Sequence, residues 1–273
     1  MCDPIKQSSS QEISGAVAQV LERNAIASLC TLVHAPAGSV GAKLLVEETG
    51  ERTGSLGDAA LDAAVAAYSE TFLNSRAEAR TFNLEELAAE LPGLPGRRIL
   101  FERIEPEPRL IVCGAGHVGA ALALLARQLG YRTTLIDDRA DLVTRERFPD
   151  EGIELVTAYR WTESVRVCVG AGRNVAVAVV TRGHNEDEEC MRAVMSAHPH
   201  YVGLIGSKRR TNIVLERLRE AGVDEKRLRE VRAPIGLDIG AVTPQEVALS
   251  ILAEIVSERR GGTILPLSAW RRK

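Results

Sequence analysis

The sequence predicts an α/β protein, a C-terminal Rossmann-like, doubly wound parallel sheet preceded by a smaller α/β domain. Three observations lead there. Beyond residue 108, strand-like runs at 110–113, 133–136, 154–157, 175–180 and 202–205 alternate with helical segments near 117–129, 161–168, 186–197 and 208–221. Strands separated by helices imply a parallel sheet covered on both faces. The first of these strands runs straight into a glycine turn, Gly114-Ala-Gly116-His117-Val-Gly119. Two clusters of proline with glycine or glutamate, at 91–96 and 105–108, resist helix and sheet ahead of it. They place a boundary near 105 and divide the chain into domains 1–104 and 105–273.

In the first domain, Ile13, Ala16, Val17, Val20 and Leu21 recur at helical spacing over 11–22. The apolar run 25–33 has strand character. Residues 43–47 and the stretch beginning at 52 read as two arms of a hairpin around Glu48-Thr49-Gly50-Glu51. The alanine-rich stretch 58–73 predicts a helix, and 97–104 a further strand. At the other end of the chain, Thr243-Pro244-Gln245-Glu246 is a capping box with proline at the first helical position. The stripe that follows (Val247, Ala248, Ile251, Leu252, Ile255, Val256) should close the domain against its sheet or join another subunit, and a homodimer is the expected assembly.

Composition narrows the function. The 273 residues are 45% apolar and 26% charged, a globular balance able to bury a substantial core. Aromatic residues are only 4%, too few for a stacking platform, and the net charge of −3 lacks the basic excess that gripping nucleic acid requires. The charge is uneven: residues 1–96 carry −7 and residues 97–273 carry +4, which fits either ordinary solvated faces or an anion received by the second half. Five cysteines, an odd count without a CxxC pair, point to free thiols in a reducing compartment. The start Met1-Cys2-Asp3-Pro4 lacks a basic-then-apolar run, and the most apolar window, 110–126, is too short to span a bilayer. A cytoplasmic location with no membrane partner is expected.

The candidate site lies at the carboxyl ends of the parallel strands, where open α/β sheets bind ligands. Gly114 permits the tight turn, Gly116 lets an anion approach the backbone, and Gly119 lets the helix lie close to the strand. The free N–H groups over 114–119, His117 included, and the helix dipole favour a phosphate there. Asp137 follows Gly114 by 23 residues, the place of a ribose-binding carboxylate. His184 and Asp187, after the fourth strand, should face the turn, with Asn185 as a helix cap. Ser207 should cap the next helix, yet Lys208, Arg209 and Arg210 stand at the start of that helix, where the dipole prefers acids. A bound anion would resolve that conflict. Asp238, in the loop 234–240, is expected to line the same pocket and accept a hydrogen bond. His198-Pro-His200 has no third residue at metal-ligand spacing and reads as a surface loop.

These residues together resemble the xanthine dehydrogenase accessory proteins of the XdhC/CoxI type. The likeness is carried by CGAGHVG (113–119), LIDDR (135–139), ERFP (146–149), GLIGSKRR (203–210) and APIGLDIGAVTPQEVALSILAEIV (233–256). In the first domain it is carried by SVGAKLLV (39–46) and GERTGSLG (50–57). The resemblance implies a cofactor chaperone that binds molybdopterin, protects it during sulfuration and delivers it to a molybdenum hydroxylase apo-enzyme such as xanthine dehydrogenase. It also implies a cysteine desulfurase as a further partner. The phosphate of molybdopterin, or the pyrophosphate of its dinucleotide form, would use the glycine turn and the 207–210 cluster. Asp137 would contact a ribose or pterin group, with His184 and Asp238 lining the pocket. Many relatives carry two glycines, a cysteine and an acid after the GSLG-like turn. Here Asp62 matches the acid but Ala60 stands in the cysteine's place. That removes a thiolate that could ligate molybdenum or carry sulfur, and leaves Cys30 as a candidate to replace it spatially. Two other readings use the same turn. One is an NAD(P)-dependent oxidoreductase with His184 as acid or base; the other is a nucleotide-sensing module without catalysis.

Overall fold

The computed structural model describes residues 10–36, 40–75, 77–87, 96–170 and 174–268. The N-terminal residues 1–4, Ser39 of the SVGAKLLV block and the proline–glycine run over 91–95 lie outside them. The chain forms two compact units, Met1–Pro106 and Glu107–Lys273.

The first unit is a five-stranded antiparallel sheet of order β3-β2-β1-β5-β4 with a helix on each face. Its elements are α1 (Ser10–Glu22), β1 (Ala27–His34), β2 (Lys43–Glu47), β3 (Arg52–Ser55), α2 (Ala59–Asn74), β4 (Ala79–Asn83), α3 (Leu84–Leu87) and β5 (Arg98–Ile104). Asp58 caps α2 by accepting the Leu61 amide at 2.9 Å. Leu61, Val65 and Phe72 of α2 then pack on Leu44, Val46, Ile99 and Phe101. Leu45, pointing to the opposite face by the two-residue period of a strand, packs with Val20 of α1. Both faces of β2 are thus covered, which is why its apolar run is unbroken. β4 was not expected. Phe82 is its one buried residue, so its sequence shows no alternation to read.

The second unit is a five-stranded, wholly parallel sheet of order β10-β9-β6-β7-β8. Its strands are β6 (Arg109–Cys113), β7 (Arg132–Asp137), β8 (Ile153–Thr157), β9 (Val175–Val179) and β10 (Tyr201–Leu204). The helices are α4 (His117–Gln128), α5 (Trp161–Val169), α6 (His184–Ala197), α7 (Lys208–Glu220), α8 (Glu225–Glu230) and α9 (Pro244–Arg260). The sequence VAVAV of β9 sorts by face. Val175, Val177 and Val179 enter the core under α5 and α6, while Ala176 and Ala178 enter the core under α4 and α9. The smaller alanines leave room for α9, whose Ala248, Ile251, Leu252 and Ile255 are buried as its apolar stripe predicts. The capping box of α9 is formed on both sides by Thr243 and Glu246. Sheet order reverses between β6 and β9, so the switch point of the fold opens beside the glycine turn. Among the described residues no helix is long and apolar enough to cross a membrane.

Candidate functional site

The glycine turn joins β6 to α4, and its three glycines have different reasons to be there. Gly114 has φ +117°, and a Cβ on it would lie 2.5 Å from the Val180 carbonyl oxygen. Gly119 would place a Cβ 1.7 Å from the Gly114 carbonyl oxygen, so α4 can start this close to the strand only without a side chain. Gly116 differs. Its φ is −65°, and a Cβ on it would meet nothing within 4 Å. It is the N-cap of α4 and provides no side-chain cap, and His117 opens the helix with its side chain exposed.

Asp137 ends β7 and is almost wholly buried. The Ala115 amide donates to its Oδ2 at 2.6 Å, which ties the carboxylate to the glycine turn. The Arg139 amide donates to Oδ1 at 2.9 Å, and the Arg139 guanidinium donates to Oδ1 at 2.8 Å and to Oδ2 at 2.9 Å. Burial pushes this carboxyl up, but the Arg139 guanidinium and the two amides outweigh it and hold it at about 2. Both oxygens are spent inside the chain. The residue expected to meet a ribose or pterin group thus braces the turn.

At the other flank of the turn, α6 begins at His184 with Gly183 as N-cap, two residues earlier than predicted, so Asn185 lies inside the first turn. The Asp187 amide closes that turn onto the Gly183 carbonyl at 3.0 Å. The Asp187 side chain is fully buried, accepting the Thr181 hydroxyl at 2.5 Å and the Arg210 guanidinium Nε at 2.9 Å. Burial pushes the Asp187 carboxyl up, against the pull of Thr181 and Arg210. His184 is exposed.

The cationic cluster therefore divides. Ser207 caps α7 as expected, accepting the Arg210 amide at 3.2 Å. Arg210 turns inward, and its counter-anion is the protein's own Asp187. Lys208 and Arg209 are exposed, with no ion-pair partner among the described residues. They start α7 beyond β10, two strands from β6, roughly 10 Å along the sheet edge. Asp238 is also exposed and accepts no hydrogen bond from the described residues. The acid that orders its loop is Glu254 of α9, which takes the Gly236 amide at 2.8 Å and the Tyr201 hydroxyl at 2.6 Å. Sequence reasoning missed Glu254, although its place on the buried side of α9 was a usable signal.

The structure thus brings Gly114, Gly116, Gly119 and Asp137 into one turn. It places Thr181, Asp187 and Arg210 in one buried cluster beside it, and leaves His184, Lys208, Arg209 and Asp238 exposed. Cys30 does not supply the missing thiolate. It is buried within β1, beside Ser28 and Ser69, and burial pushes its thiol up to about 11. Ala60 is exposed in the first turn of α2, and Asp62 is engaged by the Ser55 hydroxyl and the Leu56 amide. Among the described residues no group of three or more His, Cys, Asp or Glu could hold a metal ion.

The model of the XdhC Rossmann domain matches residues 110–255, and that of the XdhC and CoxI family matches residues 20–83. The chain is 36% identical over 152 residues to uncharacterized protein YqeB of Escherichia coli, a match over 55% of this chain and 27% of that protein. It is 33% identical over 162 residues to a probable xanthine dehydrogenase subunit of Bacillus subtilis, covering 59% of this chain and 46% of that one. It is 25% identical over 181 residues to the molybdenum cofactor insertion chaperone PaoD of E. coli, covering 64% and 56%. The chain therefore spans between about a quarter and rather more than half of the length of these relatives. The crystal structure of a xanthine dehydrogenase from Bacillus halodurans superposes with a TM-score of 0.51 at 16% identity, over 94% of this chain and 98% of that one, and shares the fold. With the Rossmann-domain model alone spanning more than half of the residues, and the glycine turn and capped terminal helix built as the sequence motifs require, the chain belongs to the XdhC and CoxI family.

Proposed function

We propose that this chain is an accessory protein that receives molybdopterin cofactor by its phosphate on the glycine turn and passes it to a molybdenum hydroxylase of the xanthine dehydrogenase type. Family membership and the named chaperone relative support that class. The observation that carries the reading is Gly116. Neither its φ nor any atom of the described residues requires glycine there. A ligand phosphate approaching the start of α4 does require it, because a Cβ would occupy the approach and the first-turn amides need an acceptor.

The residues present fit the phosphate end of the cofactor. Backbone amides over 116–119 would bind it, and Lys208 and Arg209 would add attraction from the sheet edge. Neither Ala60, which has no thiol, nor Cys30, a buried thiol pushed up to about 11, offers a thiolate to the metal end. The reading therefore rests on the phosphate end, and no covalent step is required. Asp137, where a nicotinamide dinucleotide would set its ribose diol, is already bonded to Arg139, which disfavours that reading.

Titration of the purified chain with molybdopterin, followed by activation of a cofactor-free molybdenum hydroxylase, tests this reading. Low-micromolar binding and a gain in client activity are expected, with NAD(H) failing to compete. Absence of binding in that range, or binding without any gain in activation, overturns it.

A further inference from the structure

Three arginines crowd the carboxyl edge of the parallel sheet around the glycine turn, and their counter-ions differ in one decisive respect. Arg139 is held by Asp137, whose side chain is 2% exposed, and Arg210 by Asp187, which is 0% exposed. Removing either arginine would leave a buried carboxylate without its counter-charge, so both pairs are held by the fold. Arg182 is different. It donates to Asp138 through Nη1 at 3.2 Å and Nη2 at 2.8 Å, its Nε lies 3.5 Å from Glu186 Oε1, and the three side chains are 47%, 30% and 23% exposed. Ion pairs between groups this wet contribute little and are readily exchanged.

The position of this exchangeable pair is set by sheet order. Arg182 follows β9 and Asp138 follows β7, and both strands are direct neighbours of β6. The pair therefore joins the two flanks of β6, roughly 10 Å apart, beside the glycine turn into which β6 runs. A planar guanidinium held bidentately by a carboxylate has the geometry to take a phosphate in the same way, and a phosphate offers it more negative charge.

We propose that Arg182 is the anion-gripping side chain of the glycine-turn site and that Asp138 is its resting counter-ion, given up when a phosphorylated ligand arrives. The proposal rests on the reading of the turn as a phosphate site and adds the group that selects the anion. In the free protein the Asp138–Arg182 pair spans the flanks of β6. In the bound protein Arg182 turns its Nη atoms to the phosphate with Glu186 still beside its Nε, and Asp138 keeps Arg139, which lies 3.9 Å from it in the free protein. The cost of breaking the resting pair lowers affinity, so the two partners have opposite effects when removed.

The test uses the full chain, calorimetry, and two probes, inorganic pyrophosphate and molybdopterin. Arg182→Ala should weaken pyrophosphate binding about tenfold or more, the loss of a charge-assisted bidentate contact. Arg182→Lys should recover only part of it. Asp138→Asn should tighten binding about two- to fivefold, the release of an exposed ion pair. In the Arg182→Ala background that gain should largely vanish, because it acts through Arg182. Unchanged affinity in Arg182→Ala overturns the proposal. So does a gain from Asp138→Asn that persists undiminished without Arg182, which would mean simple charge repulsion, and so does a wild-type chain that binds neither probe. If pyrophosphate follows this pattern while molybdopterin does not bind, the grip stands and the cofactor reading alone fails.

Discussion

At the scale of single residues, the site is decided by which polar groups already have partners. Gly116 and Gly119 separate the needs of ligand and fold. Gly119→Ala should cost more than about 3 kcal/mol in urea unfolding, because a backbone carbonyl lies where the methyl must go. Gly116→Ala should stay within about 0.5 kcal/mol of the parent while losing most molybdopterin affinity. Equal loss of stability in both variants would mean that the turn serves packing alone. The thiols make a second prediction. Cys30, Cys113 and Cys190 are buried, and burial pushes Cys30 up to about 11 and Cys190 well above its ordinary value. Iodoacetamide near neutral pH should leave these three unmodified in the native protein and label them fully after denaturation, as read by peptide mass spectrometry. Rapid native labelling of Cys30 would reopen a sulfur-carrying role.

At the scale of elements, the terminal helix α9 links sequence, packing and site. Its capping box starts it at Pro244, its apolar stripe fills the core beneath α4, and its Glu254 organises the loop that carries Asp238. Thr243→Ala should cost about 1 kcal/mol of stability through loss of the cap. Its effect on phosphate affinity should be small, since the hydrogen bond lost lies within the first turn of α9. Elements whose pattern repeats were legible in advance, as in the VAVAV of β9 and the stripe of α9. Elements that depend on one residue were not. β4 buries only Phe82, and α8 buries only Leu228, so neither shows a period for sequence reasoning to find. The start of α6 was misplaced for another reason: Asn185 has the chemistry of a cap, but the turn closes one residue pair earlier, onto the Gly183 carbonyl.

At the scale of the whole chain, buried charge couples the glycine turn to pH. The Asp137 carboxyl is held at about 2, below the 3.8 of a free side chain. A depressed carboxyl favours the folded state only while ionised. Its contribution is complete above pH of about 4 and is lost as pH falls through about 2. Asp137→Asn should therefore lower stability at neutral pH by on the order of 2 kcal/mol and flatten the fall in stability over that acid window. Chemical denaturation at a series of pH values measures both. An unchanged acid slope would show that Asp137 is not the brace. Asp187 has the opposite sign, since burial raises its carboxyl and its contribution shrinks as pH rises.

The sequence alone determined the fold class, the parallel strands, the glycine turn and the capped terminal helix. Each of these is written in short-range periodicity and local backbone chemistry, which survive without knowledge of distant contacts. Tertiary structure decided which charges are available. Arg210 found its anion 23 residues away in Asp187, and Arg182 found its own 44 residues away in Asp138. Asp137 braces the glycine turn through the amide of Ala115, 22 residues before it. Those pairings exist because parallel strands bring separate loops to one edge of the sheet, and desolvation of Asp137 and Asp187 forces these two carboxylates to take the nearest donor.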